Sequence, residues 1–300
     1  MELFKKTTID FLGKKYACYV FSTLMILASV FAIVTKRPTM SIEFTGGTLL
    51  QIGFKELPPI QKIRDVLTSN GWEGFTLQSQ PADESIIIRV KQGDQSKEDI
   101  SSRLMKTLTS AFAGNVKELP ERVEFVGPVI GRKLVFAAYK AIFGSLLVIV
   151  IYIAIRFKNW IWGVVGVIAL AHDVFITFGM LVLFQREITL VVIAALLTLA
   201  GYSINDTIVI FDRVRENLRT SRKESLKDLY NRSLNETLGR TINTSFCALV
   251  ASASLLFGGD VIRDFSISMT FGVVIGSYST IGVAIALVHQ WEMARKGVKA

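Results

Sequence analysis

Asp206 lies inside an apolar run, Ile188 to Phe211, in the stretch Gly201-Tyr202-Ser203-Ile204-Asn205-Asp206-Thr207-Ile208. An ionised carboxylate at such a position costs at least ~2.5 to 3.5 kcal/mol on insertion scales, so by default it faces a bundle interior, finds a partner and marks a proton or ion path. The expected partner is Arg240, two residues into the next apolar run, Leu238 to Phe257. Asp206 stands five residues before Phe211, roughly 7.5 Å from the end of its run at 1.5 Å per residue. Both charges then fall on the same side of the membrane, where an inward-reaching arginine could meet the acid. Low dielectric favours a neutral carboxyl, an adjacent guanidinium favours the ionised one, and small helix movements shift that balance. Such a group can load a proton from one side and release it to the other. Two plainer readings stand beside this one: a snorkelling arginine that sets topology, and an acid paired structurally at the membrane edge.

A second acid, Asp173, sits near the middle of the run Trp160 to Phe184, beside His172. By position it is the most deeply placed acid, a functional candidate or half of a structural hydrogen-bonded pair with the histidine. His289, close to the tail, is expected at the membrane interface. Small residues recur at close spacing, with Gly272-x-x-x-Gly276 fitting the pattern that lets helices approach closely. Cys18 and Cys247 lie in apolar runs without metal-ligand spacing, and no His/Cys/carboxylate cluster resembles a metal centre or a nucleophilic triad. The expectation is a chain with no cofactor, no metal and no covalent chemistry.

These residues need a polytopic bundle to hold them. The 300 residues are 51% hydrophobic with a mean hydropathy of +0.44, too apolar for an ordinary soluble domain. Six runs reach the ~20 residues a spanning helix requires: Tyr16 to Val34, Leu134 to Ile155, Trp160 to Phe184, Ile188 to Phe211, Leu238 to Phe257 and Phe265 to Trp291. The first follows Lys5, Lys6, Lys14 and Lys15, exceeds a signal-peptide core in length and lacks a cleavage site, so it is expected to remain as an uncleaved span.

Residues 36–132 have a different character, with dispersed charges and short alternating runs. Strands are predicted at Ile42 to Phe54, Phe75 to Ser79, Ser85 to Lys91 and Val116 to Val126, with a hairpin loop at Gln80 to Glu84. Helices are predicted after Pro58-Pro59 over Ile60 to Ser69, and from a Ser96/Asp99 cap through Phe112. The order βαββαβ is that of a ferredoxin-like domain.

Net charge is +9, but the Lys and Arg collect at run ends, which topology explains better than nucleic-acid binding. With the N-terminus inside, the leader, Arg156-Phe157-Lys158, the segment 212–237 and the tail with Arg295, Lys296 and Lys299 all lie inside. The outer loops hold only Arg186 with Glu187, and Asp260 with Arg263 and Asp264. Expected boundaries are therefore 1–35 for the N-terminus and first span, 36–132 for an outer α+β domain, 133–211 for spans two to four, 212–237 for a basic cytoplasmic segment, and 238–300 for the last spans and tail. The segment 212–237, mixing arginine with Glu216, Glu224, Asp228 and Glu236, suits a short amphipathic surface helix serving orientation and solubility.

Phe44-Thr45-Gly46-Gly47 opening the outer domain, the His172-Asp173 pair, and Tyr202 to Val209 running into Phe211-Asp212-Arg213-Val214-Arg215-Glu216-Asn217 together resemble the SecD/SecF family of protein-export membrane proteins, on its SecF side. The likeness covers nearly the whole chain. Family members usually carry Asp before the Phe; here Glu43 stands there, an exchange of one acid for another. The resemblance implies a resistance-nodulation-division type bundle in the bacterial cytoplasmic membrane, half of a pseudo-symmetric twelve-span assembly completed by SecD. It implies partners in SecD, the SecYEG channel, YajC and unfolded preprotein, and a role in the late stage of translocation driven by proton-motive force. It places the relay on the positions matching Asp206 and Arg240, with Asp173, His172 and Asn205 as supporting candidates and Phe44, Gly46 and Gly47 as the family motif.

Two rivals are weighed against this. A small-molecule exporter of the same superfamily usually carries two large outer insertions per half, whereas here only the first outer loop is long. A non-transporting scaffold would keep its function in Asp206→Asn. A chain running from Met1 to just past a sixth span is expected to meet SecD as a separate chain.

Overall fold

The computed structural model describes residues 7–80, 84–90, 97–117, 119–157, 160–221 and 224–295. Residues 81–83 of the expected hairpin loop Gln80 to Glu84, the Ser96 cap, Lys158 and the terminal lysines Lys5, Lys6, Lys296 and Lys299 lie outside them. The chain divides into two compact units, Met40–Tyr139 and the combination of Met1–Thr39 with Lys140–Ala300.

A two-residue strand β1 (Thr39–Met40) spans the boundary in sequence between the units, and the first unit continues with a helical turn, α2 (Ile42–Thr45), and then β2 (Gly47–Gly53). The sequence predicts strand from Ile42, but Thr45 Oγ1 donates to Ser41 O at 3.1 Å and Gly46 N to Ile42 O at 2.8 Å. That turn needs Gly46 at φ 69 and ψ 163, a region essentially reserved for glycine. Gly47 follows at φ 127. The α5 helix (Pro128–Arg156) begins close by, since a Cβ at Gly131 would stand 3.3 Å from Gly46 N. Gly46→Ala is expected to lower the stability of this unit by about 1–3 kcal/mol, read as faster amide exchange across β2 in urea.

The helices α3 (Ile60–Ser69) and α4 (Lys97–Ala111) and the strands β3 (Phe75–Gln80), β4 (Ser85–Val90) and β5 (Arg122–Val126) complete the predicted βαββαβ order. The sheet runs β3-β4-β2-β5, antiparallel throughout, with Leu50 opposite Ile88 and Val123. Ile63 and Leu67 of α3 and Ile100, Leu104 and Leu108 of α4, all on helical spacing, close one face over Leu50, Ile52, Ile86 and Ile88. The last strand starts later than Val116 because Pro120 has no N–H to give the ladder. Val116 keeps a single bridge to Phe54.

Among the described residues six helices are long and apolar enough to cross a membrane. They are α1 (Lys15–Lys36), α5, α6 (Trp160–Leu183), α7 (Leu190–Thr220), α8 (Leu226–Ser254), and α9 (Asp260–Ser279) continued through a π-helical stretch, Thr280–Ala284, into α10 (Ile285–Arg295). Thr189 caps α7 by accepting from Val192 N at 3.1 Å, and Ser225 caps α8 by accepting from Asp228 N at 3.1 Å. Glycines set the approach distances. A Cβ at Gly179 on α6 would overlap Ser29 of α1, and one at Gly272 on α9 would overlap Leu199 of α7. The interior is α6, α7 and α9, while α5 and much of α8 keep exposed apolar faces.

Hydropathy and helix part company at Phe211. α7 runs on to Thr220 and α8 opens at Leu226, so the basic segment is the tip of a helical hairpin rather than a separate short helix. Its charges pair within and across the hairpin. Arg213 meets Glu236 and Glu216, each at 2.7 Å, Arg232 meets Glu224 at 2.7 Å, and Asn217 donates to Ser233 Oγ at 2.9 Å. Asp212 pairs with Arg156 at the end of α5.

The N-terminal strap is tied to the same hairpin. Asn235 brackets Ile9, accepting from its N–H and donating to its carbonyl, each at 2.9 Å, and Asn231 Oδ1 accepts from Leu12 N at 3.0 Å. Asp10 takes the Gly13 N–H at 2.8 Å, Lys227 at 3.0 Å and Asn231 at 2.7 Å. The Gly13 N–H first, then Lys227 and Asn231, hold its carboxyl below the ordinary value of 3.8. A lowered folded-state value means that the contact is fully present above 3.8 and is lost as pH falls through the lowered value. Exchange protection of the Leu12 and Gly13 amides should therefore hold from neutral pH into the carboxylate range and fail only below it. Asp10→Asn should weaken it at every pH.

Candidate functional site

Asp206 stands midway along α7 and is 3% exposed. It is therefore further from a helix end than the apolar run alone predicts. Its Oδ1 accepts from Thr244 Oγ1 of α8 at 3.3 Å, while Oδ2 is buried and has no hydrogen-bond partner among the described residues. Ser245 is near enough to act on the carboxyl, yet its hydroxyl is held by Tyr202 at 3.0 Å and Ser277 at 2.6 Å. Arg240 lies one turn before Thr244, whose hydroxyl also reaches the Arg240 carbonyl at 3.0 Å. Its guanidinium attracts the Asp206 charge across the α7–α8 contact, but the side chain is exposed and no ion pair joins the two among the described residues. The acid and the arginine are thus neighbours across antiparallel helices with a threonine between them, where the sequence predicts direct contact. Asn205 points the other way, on an exposed stripe of α7 with Ala194, Thr198 and Gly201.

Asp173 is fully buried, and both of its oxygens are bonded. His172 Nδ1 lies 2.8 Å from Oδ1, and Ser203 of α7 and Ser279 of α9 donate to Oδ2 at 2.5 and 2.7 Å. Both expected members of the pair are therefore together, and two serines join them that nothing in the sequence singles out. Thr207 and Thr280 meet at 3.1 Å one turn further along. His289, expected at the interface, is 5% exposed and stands edge-on to Tyr230 at 5.4 Å. The signal that could have found Ser203, Thr244 and Ser279 is a hydroxyl near an acid or its partner inside an apolar run, a weak one because such hydroxyls usually bond their own helix. Phe44, Gly46 and Gly47 lie in the α+β unit, at the α2–β2 turn. No group of His, Cys, Asp and Glu that could hold a metal occurs among the described residues.

The profile of the family described as protein export membrane protein SecD/SecF, C-terminal, matches residues 105–294, and that of the SecD/SecF GG motif matches residues 31–56. The protein translocase subunit SecF of Endomicrobium trichonymphae is 37% identical over 98% of this chain and 94% of its own. That of Calditerrivibrio nitroreducens is 39% identical over 99% and 98%. Among solved structures, SecDF from Thermus thermophilus, a translocon-associated membrane protein, superposes with a TM-score of 0.84 at 34% identity, covering 95% of this chain. The chain spans 39% of that longer SecDF chain. By profile, by near-complete alignment and by fold, the chain belongs to the SecD/SecF family of protein-export membrane proteins.

Proposed function

We propose that the chain is a SecF-like subunit of the Sec translocase that uses the proton-motive force to assist preprotein translocation and release on the outer side of the cytoplasmic membrane. Asp206 takes and gives up the proton, and Arg240 sets the balance between its two forms. The observation that carries this is the Asp206 carboxyl itself: 3% exposed, bonded on one oxygen by a single threonine and on the other by nothing among the described residues. A buried carboxyl that stayed ionised throughout would be expected to have both oxygens satisfied, so an Oδ2 without a partner among the described residues leaves a place for the proton.

SecD supplies the other half of the assembly. In support, Asn205 and Arg240 are exposed on neighbouring helices within spans, and polar groups facing hydrocarbon are costly enough to call for cover by protein. The unit Met40–Tyr139 then stands outside the membrane and both termini face the cytoplasm, the arrangement that keeps the arginine-rich hairpin inside. SecYEG, YajC and unfolded preprotein are the further partners of this reading. The test is gradient-dependent export in vesicles carrying Asp206→Asn; export that still responds fully to the proton gradient refutes it.

A further inference from the structure

The geometry points to Asp173 as a second proton-binding site of the bundle, whose load is passed through Ser279 to the π-helical stretch Thr280–Ala284. This rests on the proton-coupled reading above and adds a site to it.

Three donors from three helices converge on this carboxyl: His172 on its own helix, Ser203 on α7 and Ser279 on α9. No lysine or arginine pairs with it among the described residues. Of the ionisable groups on the helices that touch it, His172 is its neighbour on α6, Tyr202 and Asp206 flank Ser203 on α7, and Tyr278 precedes Ser279 on α9. Tyr202 is bonded to Ser245, Asp206 to Thr244 and Tyr278 to the Cys18 carbonyl, so among these His172 alone reaches the carboxyl. On α1 and α10, which also pack on α6, Lys36 reaches Leu183 O and Glu292 reaches Trp162, both far along α6 from Asp173, and His289 faces Tyr230. A buried acid with hydroxyl and imidazole donors but no fixed cation can hold its charge in one state and a proton in the other.

The two states cannot have the same hydrogen bonds. Ionised, Asp173 accepts from all three groups. A proton on Oδ1 would need His172 to accept at Nδ1 and to carry its own proton on Nε2, a buried atom with no partner among the described residues, so the proton goes to Oδ2; the carboxyl then donates there and one serine hydroxyl has to turn away. Ser279 has somewhere to turn, because its Oγ also lies 3.1 Å from Gly276 O in its own helix. That carbonyl already receives Thr280 Oγ1 at 2.9 Å and the Thr280 N–H. The next residues are the π-helical stretch, and such single wide turns are frequent at functional sites. Proton loading at Asp173 therefore changes the bonding of the turn from which that stretch begins.

The experiment uses the full chain in lipid nanodiscs, with the proton as ligand and pH as its concentration. In an Asp206→Asn background, infrared titration should show a carboxylic-acid C=O band that grows as pH falls and is lost when Asp173→Asn is added. Amide exchange over residues 271–288, corrected for intrinsic rates, should follow the same midpoint. Ser279→Ala should keep the band and lose the exchange response, a split that a merely structural role would not produce. Absence of a band due to Asp173, or an exchange response unchanged in Asp173→Asn, overturns the proposal. Because neither readout involves export, a failure of the Asp206 reading in vesicles leaves this result separately decided.

Discussion

Asp206→Asn should reduce export in the presence of a proton gradient to the level measured with the gradient collapsed, while the chain stays folded and retains its partner. Asparagine matches the acid in shape and can still accept from Thr244, which approaches Oδ1 at 3.3 Å. It cannot ionise, so the attraction exerted by Arg240 has nothing to act on and the site has one state instead of two. The folding cost is limited to placing an amide N–H₂ where Oδ2 now has no partner among the described residues, about 1–3 kcal/mol for an unsatisfied buried donor. The readout is the ratio of export with and without the gradient, with co-purification of the partner and a detergent melting curve as controls. A variant that keeps the wild-type ratio would favour the scaffold alternative. One that falls apart would show that the acid is structural.

Much of this architecture is legible in the sequence, for reasons that also explain what is not. The α+β unit is readable because Ile86, Ile88 and Val90 alternate toward one face and Ile100, Leu104 and Leu108 repeat at helical spacing. The turn at Ile42–Thr45 is not, since Ile, Phe and Thr are good strand formers and the decision is made by Gly46. Apolar runs locate the spans but cannot show that α7 continues past Phe211, because that extension is held by polar pairs such as Arg213 with Glu236 and Asn217 with Ser233. The acids stand out by composition alone. Their partners do not, because Ser203 and Ser279 become ligands of Asp173 only when α6, α7 and α9 pack together, and nothing local in either serine encodes that. The π-helical stretch is hidden in the same way.

Gly276→Val should be among the most damaging changes in the bundle, because this glycine sets how closely α9 approaches the Asp173 cluster. A Cβ there would stand 3.3 Å from Ser203 Cβ and 3.6 Å from Asp173 Oδ2. The first distance asks a neighbour to give by a few tenths of an ångström, and the two γ-methyls of valine have no room behind it. Overpacking of this kind costs about 1–3 kcal/mol, and moving α9 outward also weakens the Ser279 bond to the buried carboxyl, 2.7 Å in the intact molecule. Leaving that acceptor short of a donor adds a penalty of similar size, so a loss on the order of 3 kcal/mol or more is expected. Gly276→Ala should fall between, since its single methyl is tight only against Ser203 Cβ at 3.3 Å and is in ordinary contact with Ser203 Oγ and Asp173 Oδ2 at 3.5 and 3.6 Å. Gly201→Ala is the control: it is also a helical glycine in a span, but a Cβ there meets nothing within 4 Å. Thermal unfolding followed by size-exclusion fluorescence in mild detergent separates the three. If Gly276→Val melts with Gly201→Ala, the α7–α9 contact is not what holds the Asp173 cluster together, and the second proton site loses its structural basis as well.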